Sequence, residues 1–236
     1  MLAVTDERLT KEAQAMLEKA GHTVLRLPPH PLLPPPIASH PDMLLFFASD
    51  VIYCTKSYLS LARDELLKIQ KHTQREIRTI SKDYGGLYPY DVLLNALPVG
   101  NTLFCNRKTI APELIQKTTY SICHVNQGYT KCAAVPIGET ALITGDHGIA
   151  SVASQLSFQC LHVSENDIRL PGYDHGFIGG CTSFAPYAKL DAVFFCGDLS
   201  LLPQAEQIRS FCTERGITPI EIKGHDMTDV GTVFLI

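Results

Sequence analysis

The 236-residue sequence lacks the features that mark several large classes of protein. It has no tract of clustered lysine and arginine, and its formal net charge is −4, so the electrostatic basis for binding nucleic acid is missing. No run approaches the roughly 18 apolar residues of a membrane span. Met1–Arg8 contains acidic residues and no basic region followed by an apolar run, so we expect no signal peptide. We therefore expect a globular protein with neither a nucleic-acid nor a membrane partner.

The eight cysteines do not have the spacings of a metal site or a disulfide framework. No Cys-x-x-Cys pair and no cysteine–histidine cluster with zinc spacing occurs, so we predict no metal and no cofactor. Cys54, Cys105 and Cys196 lie in apolar, strand-like runs, which is typical of buried free thiols. Because free thiols persist in a reducing compartment, we expect a cytoplasmic protein.

What the sequence does contain is an internal repeat. Five times, a short apolar strand leads into one or two polar residues, an apolar residue and a helix-like stretch. The period is about 50 residues with one shorter unit, which predicts a repeat architecture. The five copies are Leu2–Leu9, Ile52–Leu59, Leu103–Ile110, Leu142–Ile149 and Phe194–Leu201.

Helices and partner strands are predicted around these copies. Apolar residues recur with helical spacing over 9–20, 59–70 and 201–215. Partner strands are expected upstream of four copies, at 42–47, 91–97, 131–135 and 176–181. Two of them lead into near-identical turns, Pro98-x-Gly100 and Pro136-x-Gly138, whose residue types are typical of turns.

The two ends of the chain supply the halves of one unit. The first copy has no upstream partner, and the closing strand Asp229–Ile236 has no copy after it. Pairing these ends would close a ring and remove exposed sheet edges. We therefore predict a single domain over residues 1–236, an α/β propeller of five pseudo-symmetric strand-hairpin-helix units. An open α/β sheet of unrelated units is the alternative.

A closed ring of five such units resembles the pentein fold of the guanidino-group-modifying enzymes. Gln127–Cys132 and Asp174–Cys181 are similar to stretches of a bacterial branch of that fold to which no activity is assigned. The fold includes arginine and agmatine deiminases, dimethylarginine dimethylaminohydrolase, amidinotransferases and a ribosome anti-association factor. The resemblance covers nearly the whole chain as a repeat pattern.

The resemblance also implies a set of catalytic residues that this sequence does not have. The enzymes carry a nucleophilic cysteine in the closing strand, where Asp229–Phe234 has none. Tyr129 stands where the fourth partner strand would carry a histidine, and Phe47-Ala48 where the second would carry an acidic pair. Covalent guanidine chemistry needs all three together, so we expect it to be lost. Arginine, agmatine and methylated arginines are predicted not to be hydrolysed.

Other residues of the partner strands are expected to point into a central cavity. Cys181 and His175 are the catalytic candidates, a thiolate–imidazole pair if a bend at Gly179-Gly180 brings them together. Cys181 also fits a buried structural thiol. Asp146 and Asp198 occupy equivalent positions in two repeats, which favours a helix-capping role for both. The ligand-binding candidates are Tyr129, Lys131, Cys132, Asp146, Asp174 and Asp198.

Lys131 is the strongest single candidate. A charge beside three apolar residues needs an anionic partner if it faces the cavity, and we nominate Asp174. Strand alternation would place Lys131 on the opposite face from Cys132.

Three functions are consistent with these features. The first is a small-molecule-binding or non-guanidine catalytic pocket at the ring centre. The second is a non-catalytic protein-binding or scaffold propeller. The third is a divergent deiminase or amidinohydrolase that uses Cys181, so any enzymatic activity would be that of a hydrolase or transferase acting on a C–N bond. A small-molecule ligand is the expected partner, and a homodimer is left open.

Overall fold

The computed structural model describes residues 1–116, 118–189 and 191–236, which form a mixed α/β fold. The helices are α1 (Lys11–Lys19), α2 (Pro41–Leu44), α3 (Lys56–Leu61), α4 (Arg63–Thr73), α5 (Glu113–Gln116), α6 (His147–Gln155) and α7 (Ala205–Thr213). The strands are β1 (Leu2–Asp6), β2 (Thr23–Leu27), β3 (Phe46–Phe47), β4 (Val51–Cys54), β5 (Glu76–Thr79), β6 (Leu97–Val99), β7 (Thr102–Cys105), β8 (Ser121–His124), β9 (Ala134–Pro136), β10 (Ala141–Thr144), β11 (Gln159–His162), β12 (Ser183–Phe184), β13 (Ala192–Phe194), β14 (Thr218–Ile220) and β15 (Val233–Leu235).

Within the described residues these strands form five small sheets. Their strand orders are β12-β15-β1-β2, β3-β4-β5, β6-β7-β8, β9-β10-β11 and β13-β14. In the three three-stranded sheets the central strand pairs antiparallel with the strand before it in the chain and parallel with the strand after it. In the four-stranded sheet β1 pairs antiparallel with β15 and parallel with β2. In the fifth, β13 pairs parallel with β14, and an isolated antiparallel bridge joins Thr182 to Phe195.

The ends of the chain pair with each other. β15 runs antiparallel to β1, with Ala3 opposite Leu235 and Val4 opposite Phe234. The backbone N–H of Leu2 donates to the Ile236 carbonyl at 2.8 Å, and that of Ile236 donates back at 2.9 Å. The prediction that the closing strand hydrogen-bonds to the N-terminal strand is confirmed.

The helices follow the apolar periodicity but differ from it at their ends. Thr10 caps α1 by accepting from the Ala13 N–H at 3.2 Å. The helix predicted over 59–70 is instead two helices that meet at Ala62, whose backbone is not helical (φ −106°, ψ 34°). The helix predicted from Leu201 begins only at Ala205, because Pro203 disfavours helical backbone at the residue before it.

The partner segments are mostly turns, and this corrects the sequence prediction. Of 42–47, 91–97 and 131–135, only the last one or two residues pair, in β3, β6 and β9, and 176–181 contributes no strand residue, since β12 begins at Ser183. Upstream of these short strands, Pro41 begins a helix and Lys131 and Cys132 lie in a turn. Strand alternation therefore does not separate Lys131 from Cys132, and both are buried. The two Pro-x-Gly segments do connect β6 to β7 and β9 to β10 as predicted.

These turns meet through a closed series of hydrogen bonds, which we name the central circuit. Its residues are buried, so each backbone group needs a protein partner there. Each bond ends on the residue where the next begins or on its neighbour in the chain, and the last bond returns to Asp42. The links are Asp42 N to Gly231 O (3.1 Å), Thr232 N to Gly180 O (2.9 Å), Gly180 N to Cys132 O (2.9 Å), Lys131 N to Asn95 Oδ1 (2.7 Å) and Asn95 Nδ2 to Asp42 O (3.1 Å).

Apolar side chains fill the space between the sheets and the outer helices. The central strands β4, β7 and β10 are buried almost along their whole length. All eight cysteines are free; seven are buried and Cys160 is partly buried. None of the described helices has the length and apolar character needed to cross a membrane.

Candidate active site

A cavity of about 230 Å³ opens beside the central circuit. Its walls are largely apolar and aromatic, and its floor carries titratable side chains. Among the described residues, neither a lysine nor an arginine lines it. Aromatic rings and carboxylates together favour a cationic ligand. The lining residues are Ile37, His40, Tyr129, Cys132, Leu170, Tyr173, Asp174, His175, Phe177 and Asp229.

A larger surface groove has less chemical content. It measures about 610 Å³ and runs past residues 98–100, 136–140 and 183–189. Its Glu139 and Lys189 pair with each other at 3.2 Å and are both well exposed. Because buried titratable groups in a cleft are the better sign of a chemical site, we place the candidate site in the smaller cavity.

Cys132 supplies a thiol on the cavity floor. Its Sγ donates to Asp42 Oδ2 at 3.1 Å and accepts from Asn95 Nδ2 at 3.1 Å. Asn95 also accepts from the Lys131 N–H, which fixes the turn that carries the thiol. Burial raises the pKa of Cys132 well above its usual value, and the Asp42 charge adds to this. The thiol is therefore protonated at neutral pH.

His40 supplies an imidazole on the same floor. It precedes Pro41, and its extended backbone (φ −60°, ψ 117°) is the conformation that a following proline favours. Nδ1 lies 3.8 Å from Asp229 Oδ1, and Nε2 lies 3.8 Å from Asp6 Oδ2. Burial lowers the pKa of His40 despite these carboxylates, so the ring is neutral. Nε2 has no hydrogen-bond partner among the residues described.

Three buried carboxylates surround these two groups. Asp42 accepts from the Thr232 hydroxyl at 2.8 Å through Oδ2, whereas its Oδ1 has no partner in the described part of the chain. Asp229 accepts from two backbone N–H groups, at 2.8 and 2.9 Å. Burial raises the pKa of both Asp42 and Asp229. Burial would also raise the pKa of Asp6, but the hydrogen bonds and charge of Arg8, with His40, lower it overall.

Lys131 lies behind the floor and does not line the cavity. It is 2% exposed, and its Nζ donates to the Thr232 hydroxyl at 3.0 Å. Burial lowers the pKa of Lys131 to about 8, and the charge of Asp42 opposes that shift. The predicted pairing with Asp174 is wrong, because Asp174 is exposed at the cavity while the compensating charge comes from Asp42.

The cavity wall contains three of the predicted residues. The Tyr129 hydroxyl donates to Asp91 Oδ2 at 2.6 Å, and burial together with this bond raises the pKa of Tyr129. His175 and Asp174 also line the cavity. The His175 ring donates from Nδ1 to the Gly176 carbonyl at 2.9 Å. The sequence thus located Tyr129, Cys132, Asp174 and His175 at one cavity, although it gave His175 a different partner.

The pairing of Cys181 with His175 is not formed, which corrects the catalytic expectation. Cys181 is fully buried in an apolar cluster and does not line the cavity. Its thiol donates to the Ile178 carbonyl at 3.2 Å. The Gly179-Gly180 bend has another role, since a Cβ at Gly180 would collide with the Asp229 carboxyl group. The bend thus lets two backbone segments approach closely.

Asp146 and Asp198 cap helices and do not line the cavity, so the ligand-binding expectation for them is corrected too. Asp146 accepts from the Ile149 N–H at 2.8 Å at the start of α6. Asp198 accepts from the Ser200 N–H at 2.9 Å at the start of a 3₁₀ helix. These are the contacts that satisfy the free N–H groups of a first helical turn.

Sequence reasoning missed several groups that form the cavity floor or bond to it from behind. They share one signal: each lies in the segment just before a partner strand, as Lys131 does. The acidic pair was sought at the end of the second partner strand, whereas the acid lies at its beginning. The missed residues are His40, Asp42, Asn95, Asp229 and Thr232.

Comparison with known proteins identifies relatives of the fold. A model described as "Family of unknown function (DUF6873)" matches residues 4–234. No sequence among the curated proteins matches the chain. SxtG, an amidinotransferase from Microseira wollei in the saxitoxin biosynthetic pathway, is 13% identical with a TM-score of 0.54, over 92% of this chain and 76% of that one. The inosamine-phosphate amidinotransferase StrB1 from Streptomyces griseus is 15% identical with a TM-score of 0.52, over 96% and 78%. At these identities the likeness shows the fold alone, and it confirms the resemblance to the penteins.

Proposed function

Because the chain belongs to the family of unknown function DUF6873 and has the fold of the amidinotransferases, we propose that it is a thiol-dependent enzyme acting on a C–N bond of a small cationic substrate. One observation carries this proposal. Cys132, His40 and Asp42 each offer a donor atom within 4.8 Å of the other two, and the first two line the 230 Å³ cavity. A nucleophile, a base and a carboxylate close to one another are the parts that covalent catalysis requires.

The proposal includes a closed ring of five pseudo-equivalent units. The pairing of β15 with β1 supports closure, and so does the central circuit, which returns to its first residue. In such a ring His40 belongs to the second unit and Cys132 to the fourth. The two would then meet at a common centre although they are far apart in sequence.

A cationic substrate is favoured by the charge of the cavity. Asp229 and Asp174 line it, and no described lysine or arginine does. The rings of Tyr129 and Phe177, with centroids 6.1 Å apart, offer faces that attract a cation. A planar cation that stacks on one of these rings would have carboxylates in the same cavity to pair with its charge.

The proposed reaction begins from a neutral thiol and a neutral imidazole. His40 accepts the thiol proton, and Asp229 and Asp6, each 3.8 Å from a ring nitrogen, stabilise the imidazolium. The sulfur attacks the substrate carbon and forms a C–S bond. As the C–N bond breaks, the departing nitrogen takes the proton from His40. Water or a second amine then gives a proton to His40 and attacks the same carbon. The C–S bond breaks and the sulfur takes that proton back, which makes the enzyme a hydrolase or a transferase.

A binding protein without chemistry is the second candidate, and one observation favours it. Burial raises the pKa of Cys132 and lowers that of His40, so both groups are neutral before a ligand arrives. In that function the cavity binds the cation and the thiol is only part of its surface. The expectation that arginine, agmatine and methylated arginines are not hydrolysed stays a prediction under both candidates.

Alkylation of the intact protein tests the proposal. The reagents are chloroacetamidine, a planar cation, and iodoacetamide, which is neutral, and peptide mass mapping locates the label. Each labelling rate is divided by the rate of free cysteine with the same reagent. By this ratio Cys132 should prefer the cation by at least about 10-fold, because the carboxylates of Asp174 and Asp229 line the cavity. His40→Gln should slow the labelling, and Cys132→Ser should abolish it.

Cys160→Ser is the matched control, because Cys160 is the most accessible of the eight thiols and should not affect labelling at Cys132. Labelling that spares Cys132, or that His40→Gln leaves unchanged, would refute the catalytic proposal. Chloroacetamidine that raises the melting temperature without modifying Cys132 would favour the binding protein.

A further inference from the structure

The floor of the cavity has a second property that catalysis does not use. His40, Asp42 and Cys132 present one nitrogen, one oxygen and one sulfur atom within 4.8 Å of one another, and all three side chains are buried. Two atoms of these side chains, His40 Nε2 and Asp42 Oδ1, have no hydrogen-bond partner among the residues described. Buried polar atoms without a partner are costly, and a bound cation would satisfy them.

We propose that His40, Asp42 and Cys132 bind a divalent cation of the zinc class, and that this cation blocks the thiol. A thiolate, an imidazole and a carboxylate are the donors that zinc takes in proteins. The binding part of the proposal depends on these three donors alone. The blocking part rests on the proposed function, because it assumes that the Cys132 sulfur and the His40 ring act in catalysis.

The distances suit a tetrahedral ion after a small adjustment. Zinc bonds of roughly 2.0 to 2.3 Å place neighbouring donor atoms about 3.5 Å apart in a tetrahedron. Cys132 Sγ and Asp42 Oδ2 are already 3.1 Å apart. The remaining donor pairs lie within 4.8 Å, so they must close by about 1.3 Å at most. The cavity leaves room for water as a fourth ligand.

The surroundings of the three donors are those of a metal site. Either nitrogen of His40 can coordinate, because the other then faces a carboxylate, Asp229 or Asp6, at 3.8 Å. A carboxylate behind a metal-binding histidine orients the ring and strengthens its bond to the metal. The Thr232 hydroxyl holds Asp42 at 2.8 Å, and the Asn95 amide donates to the Cys132 sulfur at 3.1 Å.

One neighbouring charge opposes a dication. Lys131 lies behind Asp42 and reaches it through the Thr232 hydroxyl. Removing this charge should therefore tighten metal binding, whereas removing a ligand should weaken it. Lys131→Met and Cys132→Ser are thus expected to change the affinity in opposite directions.

Cobalt(II) titration of the metal-stripped protein tests the inference. We expect one equivalent to bind with a thiolate-to-cobalt charge-transfer band in the near ultraviolet, and zinc to displace it. Cys132→Ser should remove the band, and His40→Gln and Asp42→Asn should weaken binding at least about 100-fold. Cys160→Ser is the matched control and should leave the spectrum unchanged. A band that persists in Cys132→Ser, or no one-to-one binding, would overturn the inference.

A second measurement keeps the test valid if a variant fails to fold. Zinc should protect Cys132 of the wild-type protein from iodoacetamide, as shown by peptide mapping, while leaving Cys160 reactive. Labelling of Cys132 that zinc does not slow would also overturn the inference. Cobalt binding through Cys132 without chloroacetamidine labelling of the metal-free protein would refute the enzyme alone. Chloroacetamidine labelling of Cys132 in a protein that does not bind cobalt through Cys132 would refute the metal site alone.

Discussion

Glu165 makes the stability of this protein depend on pH in a direction opposite to that of most carboxylates. It follows β11, is 8% exposed, and accepts from the Ile178 N–H at 2.7 Å. Burial raises its pKa from 4.5 to about 8, and the nearby charges of Asp229 and Asp146 add to the shift. Between pH 4.5 and about 8, the folded state therefore keeps a proton on Glu165 that the unfolded chain has already released.

The sign and size of the effect follow from proton linkage. Because the folded pKa is the higher one, the stabilisation is complete below pH 4.5 and is lost as the pH rises through 8. Between pH 6 and pH 8, the free energy of unfolding should fall by about 2 kcal/mol from this group. Glu165→Gln is neutral at every pH and keeps the oxygen that accepts from Ile178. The variant should lose this part of the pH dependence.

Urea unfolding followed by circular dichroism measures the effect at several values between pH 6 and pH 8. Other groups with shifted pKa values, Lys131 among them, also contribute to the pH dependence of stability, so the quantity to compare is the difference between the wild type and Glu165→Gln. That difference should change with pH by about 2 kcal/mol in favour of the variant as the pH rises. The exposed Glu7→Gln is the matched control and should give a constant difference. A constant difference for Glu165→Gln as well would refute the reasoning.

Three further predictions concern the cavity and the turns around it. Tyr129→Phe should lower the free energy of unfolding by about 1 to 3 kcal/mol, because it leaves the buried Asp91 carboxylate without its hydroxyl donor; urea unfolding measures this. Gly231→Ala should destabilise by more than about 2 kcal/mol, because its φ is +66° and a Cβ would collide with the His40 ring; thermal unfolding measures this. Cys181→Ser should leave chloroacetamidine labelling unchanged, because this thiol lies outside the cavity.

Each of these has a control and a contradicting result. Tyr88→Phe removes the same hydroxyl from an exposed ring and should cost little, so equal losses in the two tyrosine variants would contradict the first. Gly216→Ala has a similar φ of +71° but open space around its Cβ position, so it isolates backbone strain. Equal destabilisation of Gly231→Ala and Gly216→Ala would contradict the proposed collision. Loss of labelling in a folded Cys181→Ser variant would contradict the third.

The sequence predicted those parts of the fold that depend on local pattern. The apolar central strands, the Pro-x-Gly turns and the pairing of β15 with β1 can be read from runs of residues and from unpaired halves at the two ends. It predicted the partner segments as strands because a buried turn and a buried strand are both apolar runs, which periodicity does not separate. In 91–97, only Leu97 is in a strand, and the backbone before it turns.

The site was harder to predict because its parts come from different parts of the chain. Lys131 and Cys132 were found since a charge and a thiol stand out beside alanines. Which of them faces the cavity depends on a turn, and strand alternation gave no guide to it. His40 and Asp229 were missed because only the central circuit brings segments so far apart in sequence to one floor. The donors of the inferred metal site are likewise separated in sequence, so no local zinc spacing marks them.

The central circuit explains how a pentein fold can hold a thiol site without a cysteine in its closing strand. Most of its links use backbone atoms, so the side chains at these positions can differ while the hydrogen bonds remain. At Gly180 the missing side chain leaves room for the carboxyl group of Asp229. Cys132, whose carbonyl accepts from the Gly180 N–H, presents its sulfur to the cavity. Because segments far apart in sequence meet at this circuit, Cys132 and His40 line the same cavity. The chemistry of this centre therefore depends on which side chain each unit contributes, and the backbone keeps them within reach of one another.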